Sequence, residues 1–328
     1  MTRLCRSLAV AVAAVAATIP GGAAEAQTPL KVIVFPGLSN LMQIAAQAQG
    51  FYAKRGLAVE LINTPNSTEL RNGLAEGRYH IAHAAIDNAV AQVETAQVDL
   101  FVFMGGNNGN NSLYARPEIK SYDDIRGKTV LVDAPNTAFA LLLYKMLQEK
   151  GLKKDDYKVK PVGGTDARLK GLTTDPEAVA GMLSPPQNVM GERAGLKDLG
   201  TAVSVIGPYQ SDSGWVLRSW GTANADTLVR YIQANVEGIR WALNPANRTA
   251  LVSLLSERFK LPPDMVEGVL RRSVDQKGFA VDAQFDMKGF ENVLKLRADM
   301  LGTWGSNPPP PASKYLDLSY YQRALAGL

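Results

Sequence analysis

The run Lys31-Val32-Ile33-Val34-Phe35 leads through Pro36-Gly37-Leu38-Ser39-Asn40 into a helix-like stretch ending at Gly50-Phe51-Tyr52-Ala53-Lys54-Arg55-Gly56, and then into Leu57 to Ile62. No other feature constrains the fold as strongly. A strand that passes through a small polar loop into a helix and on to a second strand is a parallel βαβ unit. Its first loop opens at the carboxyl end of the strand, the edge at which open α/β sheets bind ligands.

Strand and helix signals go on alternating. Asn66-Ser67-Thr68-Glu69 has the form of an N-cap with a glutamate three residues later and starts a helix to Gly77. Ile81 to Ala84 reads as a buried strand, Asp87 and Asn88 open a helix to Ala96, and Leu100 to Met104 is again apolar. A second series begins near Lys120: the strand Thr129 to Val132, the loop Asp133-Ala134-Pro135-Asn136-Thr137, and a helix closed by Gly151. Lys158 to Val162 and Ala178 to Leu183 are the next strands, Pro185-Pro186 follows, and Val203 to Ile206 completes the series as a strand. From Trp215 onward the spacing turns helical over Asn224 to Leu243, Arg248 to Phe259, Pro262 to Arg272 and Asp282 to Leu301. Asn307 to Pro311 reads as an extended polyproline tail.

The amino terminus reads as an export signal over residues 1–26. Arg3 and Arg6 precede an apolar run from Leu8 to Ile19, Pro20-Gly21-Gly22 breaks it, and Ala24-Glu25-Ala26 offers the small residues of a cleavage site before Gln27. The run is shorter than the roughly 18 to 20 apolar residues of a membrane span. Cys5, the only cysteine, lies inside the leader, so the exported chain would hold together without disulfides. A formal net charge of +4 is mild, and Lys and Arg are scattered among acids, which argues against a nucleic acid partner. A hydrophobic fraction of 46% in 328 residues is enough for two cores.

Gly50-Phe51-Tyr52-Ala53-Lys54-Arg55-Gly56-Leu57, the stretch from Asn66-Ser67 to Ala85, Asp124-Ile125-Arg126-Gly127-Lys128 and Ser184-Pro185-Pro186 resemble, in their order and spacing, the periplasmic solute-binding proteins of ABC importers. The resemblance is to the nitrate, sulfonate and taurine branch, which also holds thiamine-pyrimidine precursor binders, and it runs from about Leu30 to about Asn244. It implies an α/β, two-lobed periplasmic-binding-protein fold of type II, each lobe a mostly parallel sheet flanked by helices. Lobe one would comprise residues 27–116 and 214–328 and lobe two residues 117–213, with hinge strands near Ser112 to Arg116 and Gly214 to Ser219. It also implies a small-molecule solute between the lobes, an ABC permease as partner, a monomer in the periplasm, and neither cofactor nor metal.

The candidate contacts for such a solute are Phe35, Leu38, Ser39, Asn40, Asn66, Ser67, Asp87, Asn88, Asn136, Thr137, Pro186 and Tyr209. Neutral polar groups beside helix N-termini can hold a carboxylate, sulfonate or ring carbonyl through unpaired backbone amides. The same residue types also cap helices, so each is either a cap or a contact. Asp87 and Asp133 would favour an amine-bearing solute, whereas Arg168, in the first turn of its helix, is the one basic side chain suited to an anion or else part of a solvated face.

Two other classes compete with transport. A periplasmic sensor reporting to a receptor would look the same in sequence. An enzyme like the thiamine-pyrimidine synthases, which share this fold, would by that likeness use a cysteine-rich loop and a reactive histidine with pyridoxal phosphate. Only His80 approaches that pattern, and no cysteine follows the leader.

Overall fold

The computed structural model describes residues 26–328, so the leader expected over residues 1–26 lies, apart from Ala26, outside the described residues. The chain first lays down β1 (Thr28–Val34), β2 (Leu57–Asn63), β3 (Ile81–Ala85) and β4 (Leu100–Met104). It then crosses to a second sheet and forms β5 (Ser112–Ala115), β6 (Thr129–Val132), β7 (Lys158–Pro161), β8 (Ala178–Leu183) and β9 (Lys197–Thr201) before returning as β10 (Asp212–Leu217). The two five-stranded sheets have the orders β2-β1-β3-β10-β4 and β7-β6-β8-β5-β9. In each, three parallel strands are followed by one antiparallel strand that arrives directly from the other sheet. Helices cover both faces, which is why β3, β4 and β8 are buried along their whole length and read as continuous apolar runs.

The connections between the lobes are residues 105–111 and 202–211. The stretches near Ser112 and Gly214, expected to bridge the lobes, lie within β5 and β10 and are paired inside the sheets. Ser211 N donates to Asn107 O at 2.9 Å, tying the two crossings together.

Two local expectations change. Val203 to Ile206 is not a strand but part of the helix Ala202–Ile206, and the strand, β9, comes just before it. A short apolar run carries no period to tell the two apart, and Thr201 caps the helix by accepting from Ser204 N at 3.3 Å. Nor does the chain end as a tail: beyond the prolines Tyr315 is buried, Leu316 bridges to Val102 of β4, and a last helix runs over Ser319–Ala326.

The helix Met287–Leu301 starts at Asp286, whose side chain accepts from Gly289 N at 2.9 Å, and ends on the left-handed Gly302. It carries Arg297 into the core, where Nη1 lies 2.9 and 3.0 Å from the two oxygens of Asp87. Both residues are buried. This joins the helix Met287–Leu301 to the helix Asp87–Ala96 that follows β3. Asp87→Ala would leave a guanidinium uncompensated in the core; we expect a loss of about 3–5 kcal/mol of unfolding free energy, read from urea denaturation.

Candidate functional site

The carboxyl ends of the parallel strands in both sheets face one cavity of about 720 Å³ of empty space, its mouth included. The first lobe contributes Phe35 and Leu38 after β1, Ser67 after β2, Ala85 at the end of β3 and Asn88 after it. From the second come Asp133 and Phe139 after β6, Arg168 after β7, and Ser184 and Pro185 after β8. Asn107 of the first crossing and Asp212 at the start of β10 complete the hinge side, and Phe279 enters from a strap near the carboxyl-terminal helices. That strap is pinned to the first crossing by Asn108 N to Gly278 O at 3.0 Å and Ala280 N to Gly106 O at 2.9 Å.

The lobes are closed on one another. Leu38 N donates to Pro185 O at 3.1 Å, Gly164 N donates to Pro65 O at 3.1 Å, and the Ser67 amide donates to Asp133 Oδ2 at 3.2 Å, with the Ser67 hydroxyl on the same oxygen. Glycine permits two of these approaches. At Gly37, with φ of 139°, a Cβ would lie 3.2 Å from Pro185 O, and at Gly163, with φ of 100°, it would lie 3.1 Å from Pro65 O. Farther out on the rim, Arg272 of the helix Pro263–Ser273 grips Glu192 of the helix Gln187–Arg193, with Nη2 2.6 Å from Oε2, and Arg193 pairs with Asp264.

Inside the cavity several polar atoms have no protein partner among the described residues. Arg168, 2% exposed, donates Nε to Met182 O and Nη1 to Gly163 O, both at 2.8 Å, while Nη2 is left without an acceptor. Burial pushes its guanidinium down to about 10, opposed by the charges of Asp133 and Asp166, so it remains charged at neutral pH. Asp133 Oδ1, Asn88 Oδ1 and Asp212 Oδ2 are buried and accept no hydrogen bond. His83 Nδ1 lies 3.6 Å from Asp212 Oδ2, beyond hydrogen-bond range. Burial raises the Asp212 carboxyl above its ordinary value, with His83 opposing the shift.

The profile of the family described as NMT1/THI5 like matches residues 40–248. This chain belongs to the NMT1/THI5-like family. No curated protein sequence matches it. Among solved structures, the periplasmic nitrate-binding protein NrtA of Synechocystis PCC 6803 is similar with a TM-score of 0.75 at 15% identity, over 92% of this chain and 89% of that one. The ligand-binding component of an ABC-type import system from Staphylococcus aureus, with zinc bound, gives 0.72 at 14% identity over 91% and 99%. The alkanesulfonate-binding protein SsuA of Xanthomonas axonopodis pv. citri, bound to MOPS, gives 0.68 at 15% identity over 87% and 95%. These likenesses establish the periplasmic-binding-protein fold for this NMT1/THI5-like chain.

Of the residues singled out in the sequence, this family member brings Phe35, Leu38, Ser39, Ser67, Asn88 and Thr137 to the cavity. Asp133 and Arg168 line it as well, and the remaining six do not. Asn40 turns its amide back onto Phe35 O and fixes the loop. Asn66 caps the helix Ser67–Ala75 by accepting from Glu69 N at 2.9 Å, Asp87 is taken by Arg297, and Asn136 is exposed. Pro186 is the residue from which the helix Gln187–Arg193 starts, and Tyr209 lines a separate hollow behind the crossings. Arg168 is no solvated face, and Phe139, Asp212 and Phe279 join the wall unforeseen.

Asn66→Ala should cost about 1 kcal/mol of unfolding free energy, measured in urea, without opening the cleft. Gly37→Ala should instead hold the lobes apart, and small-angle scattering of the variant should give a larger radius of gyration than the parent chain.

Proposed function

We propose that this protein is the substrate-binding component of an ABC importer, exported to the periplasm, cut after Ala26, and delivering a captured small organic solute to the permease as a monomer. The observation that carries this reading is the cavity shared by two lobes that only two crossings join, with unpartnered buried groups from both lobes at its wall. Such a chamber holds a guest by closing over it and must open to release it. Among the described residues, no helix is long and apolar enough to cross a membrane, in keeping with a protein that meets its permease from outside the bilayer.

Binding without chemistry also agrees with the wall. The guest's flat or apolar body would lie among Phe35, Phe139 and Phe279, and neither His80 nor His83 lines the cavity. The three named structures are, by their descriptions, binding components for nitrate, for an ABC-type import system, and for alkanesulfonates. Their descriptions support a solute-binding role here while leaving the guest to be decided by this chain's own cavity.

The test is a thermal-shift screen of the mature chain against organic acids, amines, sulfonates and pyrimidines, followed by scattering with the best hit. A ligand at a thousandfold excess over its dissociation constant adds about 4 kcal/mol of apparent stability, and it should come back unaltered in stoichiometric amount. Conversion of the hit into a product would overturn the reading.

A further inference from the structure

The charges around the cavity are arranged in two poles. On the second lobe Arg168 keeps Nη2 free, and the helices Ala138–Glu149 and Thr165–Thr174 begin at the wall, each start equivalent to about half a positive charge. Of the first-lobe helix starts at the cleft, Ser67 is already answered by Asp133 Oδ2 and the start at Asp87 carries that residue's own carboxylate. On the hinge side of the first lobe stand the buried Asp212 carboxylate, whose Oδ2 has His83 Nδ1 3.6 Å away and accepts no hydrogen bond, and the buried Asn88 Oδ1, which has no protein donor. Asp133 Oδ1 adds a third acceptor without a partner.

Arg168 offsets Asp133, and the two second-lobe helix starts offset Asp212, so these groups together sum to about zero while their charges stay separated. A guest that matches it is neutral overall and carries its own charges apart. Buried acceptors without donors are costly, and a site built with them is completed by the N–H groups that its ligand brings. Phe35, Phe139 and Phe279 add aromatic side chains to the wall, Arg168 lying over the Phe139 ring at 5.9 Å from its centroid, and such side chains can pack on a flat body and attract a cationic nitrogen. Burial raises the Asp212 carboxyl, His83 opposing the shift, and a cation brought by the guest would lower it further.

We propose that the solute is a small flat zwitterion, its protonated nitrogen against Asp212 and Asn88 and its carboxylate on Arg168 and the two helix starts. The inference rests on the solute-binding reading and deepens it. It sets this cavity apart from one for nitrate or a simple alkanesulfonate, neither of which has a donor for Asp212.

The experiment uses four probes on the mature protein, by thermal shift and calorimetry: 4-(aminomethyl)benzoate, benzoate, benzylamine and ethanesulfonate. 4-(Aminomethyl)benzoate should bind most tightly. Asp212→Asn should lower its affinity roughly tenfold or more, towards that of benzoate, while benzoate itself should lose no affinity. Asn88→Ala is the second variant and should shift the same preference in the same direction; urea midpoints of the empty variants show that both fold. Benzoate, benzylamine or ethanesulfonate binding as tightly as the zwitterion would overturn the two-pole assignment and leave solute binding standing. No response to the four probes beside a hit of another class in the broad screen would overturn the assignment alone, whereas silence in both would remove the solute-binding reading with it.

Discussion

Each sheet contains one strand that comes to it straight from the other lobe, and the remaining architecture follows from that exchange. β5 enters the second sheet antiparallel between β8 and β9, and β10 enters the first between β3 and β4. Because these two strands are hydrogen-bonded on both sides, they are held as firmly as the sheets themselves. Among the described residues, the irregular backbone that joins the lobes covalently is residues 105–111 and 207–211. The parallel strands of both sheets therefore point their carboxyl ends at one shared gap, with helix starts gathered on either side of it.

Stability and binding draw on different residues of similar type. Asp87 and Asp133 both follow strands and both stand beside a helix start, yet one is saturated by Arg297 and the other keeps an oxygen free in the cavity. What separates them is a helix from the far end of the chain: Met287–Leu301 reaches the first lobe and covers Asp87, while nothing comparable covers Asp133. Asn66 and Ser67 divide in the same way, the former spent on Glu69 N and the latter turned across the cleft.

Much of this was legible in the sequence because period and punctuation are local. The alternation of apolar runs with capped helices gave β1 to β4 and β6 to β8 in order, though not β9, and the helix Arg248–Phe259 was read to its ends. The loops after β1, β2, β3 and β6 were recognisable as the wall of a cleft, since their strand-loop-helix pattern places them. Phe279 could not be found that way: it sits in an irregular strap whose route along the first crossing is set by hydrogen bonds more than a hundred residues apart in the chain. Asp212 belongs to Asp-Ser-Gly, which reads as a turn, and only pairing with β3 shows it to be the first residue of a strand. Arg168 was visible but ambiguous, because Thr165–Thr174 has few apolar residues to mark which side faces inward.

The lobes touch across the cleft partly through main-chain atoms. Leu38 and Gly164 donate their amides, and Pro185 and Pro65 offer carbonyls, whatever side chains stand nearby. The machinery of shutting is thus separable from the choice of guest. Mutation could redraw the inner surface around Arg168, Asp212 and the phenylalanines and yield descendants with new cargo, while Gly37 and Gly163 kept the jaws meeting in the same way.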